Sequence, residues 1–139
     1  MGTLRTYASG LIAAVVFAVA FAVPAHSLPL TVSDRVQGFA TCAGRLSALM
    51  EYQWMFDGAG SERTRELRAE LEDLLVAVLP EARTRGISPA QVLDWRIRAK
   101  VAQAALLQQA RFATDSRRMR LAARQARYNQ TECEGLLLS

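Results

Sequence analysis

Residues 88–135 read SPAQVLDWRIRAKVAQAALLQQARFATDSRRMRLAARQARYNQTECEG, and after Pro89 no proline or glycine interrupts the run until Gly135. Its start is well marked. Ser88 can serve as N-cap, Pro89 fits the first helical position, and Gln91 stands at N3, where a capping box places its acceptor. Local signals alone therefore permit a single helix over most of the run, and three helices with a very long last one is the alternative fold. The two cysteines, Cys42 and Cys133, argue against it. Cysteine Cα atoms must approach within about 7 Å to bond, whereas an unbroken helix rising about 1.5 Å per residue would carry Cys133 some 60 Å from its start. A descending segment is needed to bring Cys133 back to Cys42. The only polar interruption that can start one is Thr114-Asp115-Ser116, so the expected fold is an all-α, up-down-up-down four-helix bundle closed by one disulfide.

Upstream, apolar residues recur at spacings of three and four. Thr31 or Ser33 can cap a first helix with the stripe Val36, Phe39, Ala40, Ala43, Leu46, Met50 and Trp54, which places Trp54 in the core while Tyr52 and Phe56 point elsewhere. Asp57-Gly58-Ala59-Gly60 ends it, with Gly58 suited to a left-handed cap. Ser61 can cap a second helix with the stripe Leu67, Leu71, Leu74, Leu75 and Val78, which Pro80 ends or bends. Arg85-Gly86-Ile87 connects it to the third.

The chain begins with a polar segment carrying Arg5, continues with the apolar run LIAAVVFAVAFAV (Leu11–Val23), and reaches small residues at Ala25 and Ser27. That pattern reads as a secretory signal peptide over residues 1–27, followed by one helical domain over 28–139. Thirteen apolar residues span about 20 Å as a helix, short of the roughly 30 Å hydrocarbon core that an anchor must cross. Export, to the periplasm of a bacterial envelope or beyond it, suits a chain whose two cysteines are to stay bonded.

Several chemistries are excluded by composition. The one histidine, His26, falls inside the expected signal, so the mature chain has no imidazole for base catalysis or metal binding. With both cysteines bridged there is no thiolate. No C-x-x-C or glycine-rich phosphate loop occurs, and neither a metal nor a cofactor is expected. Paired carboxylates remain: Glu62, Glu66, Glu70 and Asp73 share one face of the second helix, the raw material of a cell-wall hydrolase. An ordinary charged surface interleaved with Arg63, Arg65 and Arg68 accounts for them more simply.

The charge distribution is more informative. Residues 96–127 hold nine cations (Arg96, Arg98, Lys100, Arg111, Arg117, Arg118, Arg120, Arg124 and Arg127) against one anion, Asp115. On the fourth helix Arg117, Arg120, Arg124 and Arg127 share a quadrant with Leu121 and Tyr128, opposite a face of Met119, Ala122, Ala123, Ala126 and Cys133. Arginine forks suit phosphate and carboxylate; outside the cytoplasm that means anionic lipid, lipopolysaccharide or acidic protein, not nucleic acid. The third helix carries two apolar stripes. Val92, Trp95, Ala99, Ala102 and Leu106 can face a core, which leaves Leu93, Ile97, Val101 and Ala104 for a partner or for a homo-oligomer. The expectation is a non-enzymatic accessory or stabilising subunit for an envelope protein or an acidic envelope component, with a hydrolase and a self-assembling structural protein as alternatives.

Overall fold

A computed structural model describes residues 31–138; the expected signal peptide lies outside the described residues. Four helices follow in order: α1 (Val32–Trp54), α2 (Gly58–Thr84), α3 (Pro89–Phe112) and α4 (Ser116–Leu137). The long 88–135 run is indeed broken where its polar triplet stands. Asp115 caps α4, its Oδ1 accepting from the Arg117 N–H at 2.8 Å.

Contacts between helices fix the directions. Ser61 Oγ donates to the Met50 carbonyl at 3.0 Å, and Arg35 meets Glu81 at 3.8 Å, so α1 and α2 are antiparallel. Glu51 pairs with Lys100 at 2.5 Å while Gly44 lies against Arg96, so α3 runs parallel to α1. Gln103 of α3 reaches Ala126 and Asn129 of α4. The Cys42–Cys133 bond, with Cα atoms 5.4 Å apart, ties α4 back to α1 across a sequence separation of 91, and Arg45–Glu132 at 2.7 Å lies beside it. The result is an up-down-up-down four-helix bundle.

The four helices are not equivalent. Helix α1 packs along both α2 and α3, while α4 packs along α3 and touches α1 more lightly. Small residues make the central position possible: Ala40, Ala43, Gly44, Ser47 and Ala48 are all buried. At Gly44 the approach is so close that a Cβ would lie 2.1 Å from the Arg96 carbonyl oxygen. Two apolar clusters fill the core. One gathers Cys42, Leu46, Leu49, Leu71, Leu107 and Cys133 around the disulfide. The other joins Val36 and Ala40 to Leu75, Ala82, Ile87 and Val92 near the α2–α3 turn.

Four local expectations are corrected. Trp54 is 80% exposed, and it is Tyr52 that packs against the core; Trp54 instead edges a hollow with Ala104 and Leu107 of α3. Gly58 is not left-handed. It opens α2 under an Asp57 cap, whose Oδ1 accepts from the Gly60 N–H at 2.9 Å, and Ser61 is buried one turn inside. The glycine with positive φ is Gly86, at 84°, in the α2–α3 turn. Pro80 does not end α2, which continues to Thr84 because Ala82 is fully buried against the α1 cluster; tertiary packing outweighs the lost backbone donor.

Candidate binding surfaces

Helix α4 presents its arginines as the periodicity implies. Ala122, Ala126 and Cys133 are buried, while Arg117, Arg120, Arg124, Arg127 and Tyr128 lie exposed on the other side. An acidic row on α2 could have neutralised them. Helices α2 and α4 scarcely meet, however, and among the described residues none of these four arginines has a carboxylate within ion-pair distance. Asn129, which opens an N-x-T sequon, is buried: its amide donates to Gln103 Oε1 at 2.8 Å and its carbonyl accepts from Gln125 at 2.9 Å. It is a core polar group of the α3–α4 interface.

The second stripe of α3 is also outside. Leu93, Ile97 and Val101 are each more than half exposed. Ala104 diverges from them and lines a hollow with Ala48, Tyr52, Trp54, Met55 and Leu107. Helix α3 is therefore apolar on an outer side that no other helix of the bundle covers.

Because α2 and α3 flank α1 without packing their backbones on each other, a groove of about 570 Å³ separates them. Leu75, Val76, Leu79, Ile87, Val92 and Leu93 make it apolar. Its volume falls within the roughly 300–1,000 Å³ of ordinary ligand sites. Three guanidiniums border it, Arg68, Arg83 and Arg96, against one carboxylate, Glu72. Glu72 is shared: Arg96 bonds it directly, and Arg68 Nε stands 3.7 Å away, enclosed and without a hydrogen-bond partner. Arg83 has no ion pair among the described residues. The groove thus keeps an excess of positive charge at both ends of an apolar floor, and Leu93 joins it to the exposed stripe. Sequence reasoning missed it because the groove arises from the spacing of two helices, which no local pattern encodes.

The paired-carboxylate residues are placed differently. Glu62, Glu66, Glu70 and Asp73 are all exposed on the outer side of α2, and Glu62 pairs with Arg65 at 2.5 Å. None of the four borders the α2–α3 groove. Among the described residues no cluster of histidine, cysteine or carboxylate side chains is arranged to hold a metal ion, and no helix is long and apolar enough to cross a membrane. No protein-family model, curated protein or solved structure matches the chain.

Proposed function

We propose that this is an exported, non-enzymatic accessory subunit that binds an amphipathic, acidic helix of an envelope protein on its lateral α2–α3 face. The observation that carries the reading is the continuity of an uncovered apolar stripe with an arginine-bordered groove. Contiguous apolar surface bordered by charge marks a protein-binding site far more often than scattered exposed leucines do. Helix-in-groove recognition uses apolar anchors along one helical face, and Leu93, Ile97 and Val101 repeat at intervals of four on the wall beside the groove. The excess guanidiniums select carboxylates at the flanks of that helix. Signal-directed export, periplasmic or secreted, places the chain among such partners and provides the oxidising space in which its disulfide persists.

A photo-crosslinking residue at position 97 tests the reading in the exported protein, with position 70 on the outer side of α2 as control. The expected result is one stoichiometric adduct with an envelope protein from position 97, none from position 70, and loss of the adduct in Leu93→Glu. Adducts between copies of this chain would favour the self-assembling alternative. Equal adducts from both positions would remove the lateral face as a specific site.

A further inference from the structure

The end of the bundle that carries the α1–α2 and α3–α4 turns collects apolar side chains that the lateral reading does not use. Trp54 is 80% exposed, Met55 64%, Phe56 51%, and Phe112, from the last turn of α3, 70%. The α1–α2 turn lies against the last turn of α3, because the Arg111 guanidinium lies 4.6 Å over the Phe56 ring. Phe56 also leans on Tyr52, with ring centroids 5.1 Å apart, so the cluster is anchored on a residue of the core cluster's edge. Arg111 lies against it, and Arg117, Arg118 and Arg120 follow in the first two turns of α4, just past the α3–α4 turn.

The nearby carboxylates do not neutralise these arginines. Asp57 and Asp115 are committed to capping α2 and α4 through backbone N–H groups, and Glu51 is paired with Lys100. Among the described residues, Arg111, Arg117, Arg118 and Arg120 have no ion pair.

We propose that this end of the bundle is a docking tip for the surface of an anionic lipid bilayer, with Trp54, Met55, Phe56 and Phe112 entering the headgroup layer and the arginines binding lipid phosphates. Two features select a bilayer over a protein groove. The apolar groups stand at helix ends and in a turn, so they can enter a headgroup layer together without any helix having to reorient. Their composition, tryptophan and phenylalanine beside unpaired arginine, is that of the membrane–water interface, where amphipathic rings and basic residues settle at headgroup depth. Charge complementarity supplies the rest: each basic residue near an anionic membrane adds to affinity, within a Debye length. Docking at the tip leaves the lateral face of α3 free, so the proposal stands whether or not that face binds a partner.

Trp54 reports on the tip directly. In the processed, exported protein carrying Trp95→Phe, Trp54 is the sole tryptophan of residues 28–139. With vesicles of equal parts phosphatidylglycerol and phosphatidylcholine its emission should shift to the blue and be quenched by lipids brominated near the headgroup. Vesicles of phosphatidylcholine alone should do neither. Replacing Arg117, Arg118 and Arg120 by glutamine should weaken vesicle binding on the order of 100-fold, and Phe56→Ser with Phe112→Ser should abolish the blue shift. Arg85→Gln with Arg98→Gln removes charge elsewhere and should change binding much less. Co-sedimentation of the unmodified protein with the same vesicles guards against damage by Trp95→Phe. An unshifted Trp54 in vesicle-bound protein would overturn the tip, as would equal losses from the two sets of arginine variants. A blue shift produced by an envelope protein in the absence of lipid, with none from vesicles, would assign the tip to a protein partner and overturn the proposal.

Discussion

A methyl group at position 44 would sit 2.1 Å from the Arg96 carbonyl oxygen and 3.1 Å from the Lys100 nitrogen, both backbone atoms of α3 that cannot rotate away. Gly44→Ala should therefore force α1 and α3 apart and destabilise the oxidised protein by about 1–3 kcal/mol in urea unfolding, the usual cost of overpacking. Gly38 on the same helix gives the contrast. A Cβ there meets only Leu136 Cδ1 at 3.6 Å, so Gly38→Ala should be neutral or stabilising by about 0.5–1 kcal/mol through helix propensity; equal losses at the two positions would refute the close crossing. Charge acts on the same helix through Asp34, whose carboxyl is held below the ordinary carboxylate value chiefly by the Thr31 hydroxyl, then by the Thr31 backbone N–H. A depressed folded value means that the cap's contribution is complete above the ordinary carboxylate value and is lost as pH falls through the folded one. Asp34→Asn should accordingly reduce stability at neutral pH and narrow the difference from wild type in strong acid, as thermal melts across that range would show.

Helix ends tell most about what the sequence could and could not disclose. Thr31, Ser88 and the polar triplet at 114–116 were legible because capping is local: Thr31 and Asp34 form a reciprocal capping box, and Ser88 Oγ accepts from the Gln91 N–H at 3.1 Å. Trp54 and Ser61 were misread, and Pro80 was left between an end and a bend, because tertiary surroundings decided them. The helical period puts Trp54 on the core face, but Tyr52 takes the core position and Trp54 lies at the rim of a hollow shared with Ala104 and Leu107 of α3. Pro80 lies within a helix whose following turn is held by buried Ala82. The same division explains the candidate sites: the arginine quadrant of α4 is periodic and could be read, whereas the groove and the aromatic tip depend on which elements fail to meet and which turns converge. The α3–α4 break yields a direct comparison. Ser116 is the first residue of α4, Asp115 before it is extended at ψ 114°, and proline is compatible with both positions. Ser116→Pro should be nearly silent, whereas Ala104→Pro in the middle of α3 should cost about 3 kcal/mol or more, measured by chemical denaturation. Similar damage at both sites would contradict a helix boundary there.

Seen whole, the molecule is two helices, α2 and α3, packed along α1, plus a fourth that is held mainly by α3. The inward face of α4 is small: Ala122 and Ala126 bury little apolar area, and Asn129 contributes hydrogen bonds in place of hydrocarbon. Its direct attachment to α1 is concentrated where Cys133 bonds Cys42 and Arg45 pairs with Glu132. Closing a loop of this length removes about 4–5 kcal/mol of unfolded-state entropy on the chain-entropy view, and loss of a native disulfide from a small secreted domain costs about 2–5 kcal/mol. Since α1, α2 and α3 share both apolar clusters, that loss should be unevenly distributed. In a Cys42→Ser, Cys133→Ser variant, hydrogen exchange should accelerate first across α4, while the α1 amides around Val36 and Ala40, whose cluster draws no residue from α4, stay protected. The Gln103–Asn129 network makes the detachment testable from the other side. Gln103→Leu strands the buried Asn129 amide at a cost of about 1–3 kcal/mol, so adding it to the cysteine-free variant should release α4 altogether, while in the oxidised protein the bond should hold the helix near α1. Uniform acceleration over all four helices would mean that the bundle opens as one unit. Unchanged exchange in α4 would mean that its contact with α3 suffices without the bond.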